Sequence, residues 1–178
     1  MQTDRFFIIT GGPGSGKTML ITALGGINRM PESGRAVIQD ELATSGDALP
    51  WHDPLAFAGK MLEKDTASWE AAHQLKGPVI FDRAIPDAVG YLTLSGLAVP
   101  PHIARAAAQY RYNRRVFIAP PWREIYETDS ERKQDFAEAE RTFEVLSGVY
   151  RECGYELSEL PKLPPSARAQ FVVERLSF

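Results

Sequence analysis

Several features are scarce in this chain of 178 residues, and each of them argues against a particular kind of site, partner or location. Cysteine occurs once, at Cys153, which excludes an intramolecular disulfide and a cysteine-rich metal site. The formal net charge of −3 gives no general attraction to nucleic acid, so no nucleic-acid partner is expected. No apolar run approaches the ~20 residues that span a bilayer, and the early run from Phe6 to Ile9 is too short for a secretion signal. These features favour a cytoplasmic protein without membrane contacts.

The most informative stretch runs from Gly11 to Thr18 and reads GGPGSGKT. It fits the pattern G-x-x-x-x-G-K-[ST], in which glycines let backbone N–H groups turn inward around a polyphosphate. An apolar run of strand length precedes it and a helical stretch follows, so the phosphates would lie at a helix N-terminus. Lys17 is expected to reach the β- and γ-phosphates, and the Thr18 hydroxyl to hold Mg²⁺. The residues expected to bind the nucleotide are Gly12, Pro13, Gly14, Ser15, Gly16, Lys17, Thr18 and Met19.

Apolar runs of strand length alternate with stretches of helical periodicity along the whole chain. Strands are predicted over 5–10, 35–41, 79–83, 114–119 and 155–160, and helices over 19–24, 54–75, 86–96, 102–112, 134–153 and 166–176. Such alternation implies right-handed crossovers. The predicted fold class is therefore α/β: a three-layer P-loop fold with a five-stranded, mainly parallel, doubly wound sheet flanked by helices. The length suits a single domain over 1–178.

Asp82 and Arg83 follow the apolar run Val79-Ile80-Phe81, which is typical of a buried parallel strand. The carboxyl end of such a strand opens onto the binding crevice, so Asp82 is the candidate second ligand of Mg²⁺, through water. Arg83 would clamp an acceptor or a phosphate. The alternative is that Asp82 caps the next helix and that Arg83 is its partner at the surface.

Asp40 and Glu41 end the predicted second strand on the acceptor side of the crevice. We prefer Glu41 as the group that takes a proton from an attacking hydroxyl or hydrogen-bonds an acceptor. A solvated pair of acids at the start of a loop is the alternative. Trp51 follows this strand and would stack on a planar acceptor, although packing is the commoner role of a tryptophan.

The polar segment after the fourth strand, at about 120–134, is predicted to be a lid. Arg132 is the first candidate among its cations to stabilise the transferring phosphoryl group while the closed lid excludes water. Acidic residues alternate with these cations, so a solvated, salt-bridged helix face is the other interpretation.

The motifs GGPGSGKT, VIFDR and IYETDSERKQDF together resemble the small bacterial AAA-type "predicted ATPase" family, which is grouped with nucleoside and nucleotide kinases. The Asp82-Arg83 pair is similar to the Asp-Arg element of deoxynucleoside and thymidylate kinases, and the acids after the predicted second strand to their acceptor-side glutamate. Strand three carries one acid rather than an Asp-Glu pair, so a hydrolase with a glutamate base is not supported. The predicted lid at about 120–134 contains no R-x-x-x-R motif.

The resemblance and the residues together predict an ATP-dependent phosphotransferase, with ATP and Mg²⁺ as donor complex and a nucleoside, nucleotide or related metabolite as acceptor. Lys17, Asp82, Arg132 and Glu41 are the candidate catalytic residues, and Glu41, Trp51 and Arg83 the candidate acceptor-binding residues. Two other classes stay open: a nucleotide-binding regulatory NTPase that signals to a protein partner, and a hydrolase of small phosphorylated compounds.

Overall fold

A parallel sheet of five strands lies at the centre of the protein in the computed structural model, which describes residues 3–126 and 136–176. The strands are β1 (Phe6–Gly11), β2 (Asn28–Met30), β3 (Val79–Asp82), β4 (Arg115–Ala119) and β5 (Glu156–Glu159). Their order across the sheet is β2-β3-β1-β4-β5, and every neighbouring pair is parallel.

Helices cover both faces of this sheet. The described residues form seven α-helices and a 3₁₀ turn at Arg123–Ile125: α1 (Lys17–Ala23), α2 (Ser33–Thr44), α3 (Pro54–Ala72), α4 (Ile85–Leu94), α5 (Pro101–Gln109), α6 (Phe136–Glu152) and α7 (Pro165–Val173). The helix α3 begins at the predicted residue, and its first turn is capped: Asp53 accepts from the Ala56 N–H, and Pro54 occupies the first helical position.

The central strand β1 shows why the sheet must be covered on both sides. Phe6 and Ile8 pack on one face with aromatic residues such as Trp69 and Tyr150. Phe7 and Ile9 pack on the other face against α1 and α7. All six residues of β1 are buried, which explains the continuous apolar run in place of an alternating one. The α/β class and the parallel, doubly wound sheet are confirmed.

The prediction of a second strand over 35–41 is wrong, because these residues belong to α2. Ser33, Val37 and Glu41 are all buried and recur every four residues, as on one side of a helix that packs against α3. The true second strand, Asn28–Met30, has three residues and lies at the sheet edge, only partly buried. The carboxyl end of β2 therefore leads to Glu32 and not to Glu41.

Candidate nucleotide site

The phosphate loop joins β1 to α1 with a backbone geometry that depends on its glycines. Gly14 and Gly16 take left-handed φ angles of 66° and 76°, which residues with a side chain rarely adopt. A Cβ atom at Gly16 would also lie 2.7 Å from Nη1 of Arg168. The Ser15 hydroxyl donates to the Gly12 carbonyl at 2.8 Å. The loop is thus held at the N-terminus of α1, where backbone N–H groups favour an anion.

Lys17 folds back over this loop. Its ammonium donates to the carbonyl oxygens of Gly11 and Gly12 at 3.0 and 2.8 Å. Burial, together with the nearby Arg83 guanidinium, lowers the pKa of Lys17 to about 7, although three neighbouring carboxylates oppose the shift. An arriving polyanion would favour the charged form and raise this pKa again.

Asp82 ends β3 beside the loop, as the sequence predicts. Its Oδ1 atom is buried and has no hydrogen-bond partner among the described residues. Burial raises the pKa of Asp82, with a smaller contribution from Glu32, while Lys17 and Arg83 oppose the rise. Thr18 lines the same cavity.

Asp82 and Thr18 offer the type of ligand atom that a magnesium ion requires. The unpartnered carboxylate oxygen of Asp82 and the hydroxyl of Thr18 are oxygen donors, which Mg²⁺ prefers, and Mg²⁺ commonly takes its remaining ligands from substrate phosphates and water. No group of three or more His, Cys, Asp or Glu side chains suited to a metal occurs within 3–126 and 136–176, so the protein alone offers no complete metal cage there.

Arg83 connects the carboxyl ends of β2 and β3. Its φ angle is +67°, a left-handed conformation that is uncommon for a residue with a side chain, and its N–H donates to the Ile9 carbonyl at 3.0 Å. Its guanidinium forms ion pairs with Glu32 (Nε to Oε1, 3.2 Å) and with Asp87 (Nη1 to Oδ1, 3.0 Å). Two carboxylates therefore fix this cation on the floor of the crevice.

Asp87, the second of these partners, is a residue that the sequence reasoning missed. It is 4% exposed and forms the centre of a buried network. Its Oδ1 accepts from the Thr10 hydroxyl at 2.6 Å, and its Oδ2 accepts from the Tyr150 hydroxyl at 2.6 Å and the Ala84 N–H at 3.0 Å. The available signal was an acid in the first helical turn after Pro86, which is typical of a helix start.

Glu41 lies away from this crevice, in the last turn of α2. One of its carboxylate oxygens accepts from the Ala48 N–H at 2.8 Å and the other from Lys60 Nζ at 2.5 Å, and these hydrogen bonds lower its pKa. Trp51 is 66% exposed in the turn before α3. Neither side chain lines the cavity that contains the phosphate loop.

That cavity has a volume of about 1310 Å³ and extends from the phosphate loop across the carboxyl ends of the strands. Pockets for a single ligand commonly measure ~300–1,000 Å³, so this one has room for two small molecules. One half contains the phosphate loop together with residues of the 3₁₀ turn and of the loop before α7. The other half is lined by Glu32, Ile38, Phe57, Met61, Tyr91 and Leu94, with Arg83 and Asp87 also on the cavity wall.

The predicted lid is only partly described. Arg132 lies in 127–135, outside the described residues, so its role stays a prediction. The described residues on either side of 127–135 are in contact: the Arg123 guanidinium carbon lies 4.0 Å from the centroid of the Phe136 ring, and the rings of Tyr126 and Phe136 are 5.5 Å apart.

Arg168 is a second residue that the sequence reasoning did not single out. It lies in the first half of α7, is 2% exposed, and lines the cavity beside the phosphate loop. Its Nη1 donates to the Ser15 carbonyl at 3.0 Å. An arginine in a terminal helix carries no local motif, and only the packing of α7 against α1 brings it to the loop.

Comparison with known proteins places this geometry among P-loop proteins. A family model described as "AAA domain" matches residues 6–168. No curated protein sequence gives a match.

Among the described residues, no helix is both long and apolar enough to cross a membrane.

Several solved structures share the fold at low sequence identity. The deoxyadenosine kinase from M. mycoides with bound dATP is 14% identical, with a TM-score of 0.60 over 97% of this chain and 98% of that chain. The thymidylate kinase from Ehrlichia chaffeensis is 16% identical, with a TM-score of 0.61 over 98% of this chain and 100% of that one. The NadR protein in complex with NR is 19% identical, with a TM-score of 0.68; the alignment covers 97% of this chain but 51% of that chain.

Proposed function

This chain belongs to the AAA domain family and is a small P-loop NTPase with a kinase-like fold, and from this premise we propose that it is an ATP-dependent phosphotransferase. Its acceptor would be a small molecule: a nucleoside, a nucleotide or a related metabolite. One observation carries the proposal. A single cavity joins the phosphate loop to a second half that has an apolar wall and charged side chains at the strand ends. A nucleotide switch or a simple hydrolase has no need of this second half.

The donor would bind with its phosphates on residues 12–19. Lys17, charged once the polyanion is bound, would stabilise the negative charge that develops on the transferring phosphoryl group. Thr18 and Asp82 would hold Mg²⁺, which neutralises charge on the β- and γ-phosphate oxygens when bound. We retain Arg132, in the predicted lid, as a candidate for a further cation at the transferring phosphoryl group. The whole site would belong to a single domain over 1–178.

The acceptor side depends on Glu32, which takes the place that the sequence analysis gave to Glu41. Glu32 follows β2, lines the cavity, and has one oxygen within 3.2 Å of Arg83 Nε. We propose that its carboxylate receives a hydrogen bond, and then the proton, from the attacking hydroxyl of the acceptor. Arg83 would orient Glu32, and the apolar wall with Phe57 and Tyr91 would hold the acceptor ring.

A screen for acceptor-dependent ADP release tests this function. Nucleosides, nucleoside monophosphates and related hydroxyl metabolites are each added to the protein with Mg²⁺-ATP, and the phosphorylated product is identified. Release of ADP that rises with one acceptor supports the phosphotransferase. ADP and inorganic phosphate at the same slow rate with every acceptor would instead identify a regulatory NTPase. Phosphate release from phosphorylated compounds without ATP would identify a hydrolase.

Comparison of two acid-to-amide variants decides between the acceptor-side acids. Glu32→Gln should lower kcat by ~100-fold or more, because proton transfer to a positioned side chain commonly contributes ~10²–10⁴-fold. Glu41→Gln should mainly reduce stability, because it weakens the contacts of Glu41 with Ala48 and Lys60. The opposite result would assign proton acceptance to Glu41: a lower kcat in Glu41→Gln while that variant is fully folded, together with normal turnover in Glu32→Gln.

A further inference from the structure

Arg168 is a buried cation without a counter-ion among the residues that the structure describes. Its side chain is 2% exposed, yet it forms no ion pair with a carboxylate in the described part of the chain. Its Nε atom is fully buried and has no hydrogen-bond partner there. Burial lowers the pKa of its guanidinium. A protein rarely buries a charge unless something pairs with it, so this arginine indicates a partner other than the side chains of residues 3–126 and 136–176.

The position of Arg168 indicates what that partner is. Its Nη1 donates to the Ser15 carbonyl, and the same atom would lie 2.7 Å from a Cβ atom on Gly16. Its guanidinium carbon is 5.9 Å from the centroid of the Trp122 ring, on the donor side of the cavity. The hydrogen bond to Ser15 uses one of five N–H donors, so the guanidinium retains donors beside the loop.

We propose that Arg168 is a further donor-site residue, which binds the phosphate chain of the nucleotide and links α7 to the phosphate loop. This inference rests on the nucleotide site proposed above, and it adds a residue from outside the loop motif. The polyanion would supply the missing counter-charge. An arginine suits this place better than a lysine, because burial leaves its guanidinium charged and its planar fork can serve both Ser15 and a phosphate oxygen.

The test compares the stability and the ADP affinity of matched variants. Arg168→Gln removes the buried charge, and Arg175→Gln is the control, because Arg175 lies just after α7, is not among the residues lining the cavity, and bonds to the carbonyl of Phe171. Melting temperature is measured without ligand and with ADP, and the Kd for ADP by calorimetry. No acceptor is present, so a failure of phosphoryl transfer leaves this test unaffected.

We expect Arg168→Gln to melt at or above the wild-type temperature without ligand, because an unpaired buried charge has been removed. Its Kd for ADP should rise by ~10-fold or more, as for loss of a charge-assisted hydrogen bond. Arg175→Gln should bind ADP as the wild type does. A lower melting temperature together with a wild-type Kd for ADP in Arg168→Gln would overturn the proposal and leave Arg168 as a structural link only.

A second measurement does not depend on the folding of Arg168→Gln. The side-chain Nε–H resonance of Arg168 in ¹⁵N-labelled wild-type protein is assigned by its absence from Arg168→Lys. We expect it to shift on addition of ADP and to stay in place on addition of adenosine, which has no phosphate. An Nε–H resonance that responds equally to adenosine and ADP, or to neither, would also overturn the proposal.

Discussion

Nucleotide binding should be accompanied by uptake of a proton at Lys17. Burial lowers the pKa of this lysine to about 7 in the free protein, so at pH 8 only ~10% of the molecules carry the charge. Bound phosphates favour the ammonium form and move the pKa back toward its ordinary value of ~10.4. At pH 8 the protein should therefore take up ~0.9 proton for each nucleotide bound, and at pH 6 only ~0.1.

Calorimetry measures this uptake directly. ADP is titrated into the protein at pH 8 in buffers that differ in ionisation enthalpy, and the slope of the apparent binding enthalpy against that enthalpy gives the number of protons. The pH is chosen because a terminal phosphate with a second pKa of ~6 is already ionised there. The matched control is Lys17→Arg, which keeps a positive charge that does not titrate near neutral pH.

Two outcomes would contradict proton uptake at Lys17. An uptake below ~0.2 proton at pH 8 in the wild type would mean that the lysine is already charged before binding. An equal uptake in Lys17→Arg would assign the proton to another group. Lys17→Ala should in addition lower the rate of phosphoryl transfer by ~100-fold or more, and near-normal turnover in that variant would remove Lys17 from the proposed mechanism.

Three further variants test other parts of the structure. Burial raises the pKa of Asp65 to about 8, so ionisation of this carboxyl group destabilises the folded state as pH rises. The free energy of unfolding of Asp65→Asn, measured in urea, should therefore increase relative to wild type by up to ~4 kcal/mol between pH 5 and pH 8. A difference between the two proteins that does not change with pH would contradict this. Tyr150→Phe removes one donor to the Asp87 carboxylate and should cost ~1–3 kcal/mol in the same assay; an unchanged midpoint would show the bond is unimportant. Gly16→Ala places a Cβ atom on a residue with a φ of 76° and 2.7 Å from Arg168, so it should raise the Kd for ADP by ~10-fold or more. Wild-type affinity would mean that the loop can relax at this position.

The features that the sequence predicts well are those encoded by neighbouring residues. The phosphate loop is recognisable because glycine, lysine and a hydroxyl must occur at fixed spacing to surround a phosphate. The central strands are recognisable because both of their faces are buried, which requires unbroken apolar runs such as Phe6 to Ile9. Asp82 follows from the same rule, since it is the polar residue at the end of such a run.

The failures have an equally physical cause. Val37 and Ile38 resemble a strand when they are considered alone, but Val37 is buried together with Ser33 and Glu41, one helical turn away on either side. The real strand β2 is an edge strand of three residues, and its hydrogen bonds to β3 come from the backbone, which leaves no pattern in the side chains. This single error put Glu41, in place of Glu32, at the carboxyl end of the second strand.

Residues that act across long separations in the chain could not be found by pattern at all. Asp87 receives hydrogen bonds from Thr10 and Tyr150, which are 77 and 63 residues away, and Arg168 reaches Ser15 across 153 residues. Nothing near Arg168 in the sequence distinguishes it from the other arginines of the chain. Such pairs depend on the order of the strands in the sheet and on which helix covers which face.

The contact of Phe136 with Arg123 and Tyr126 affects which insertions and deletions the chain can tolerate. Tyr126 and Arg123 lie in contact with Phe136, although nine residues separate Tyr126 from Phe136 in the sequence. The entropic cost of closing a loop grows only slowly with its length, so insertions or deletions between these anchors would leave the sheet and the phosphate loop intact. The length of this segment could therefore change in evolution while the sheet and the phosphate loop stay the same.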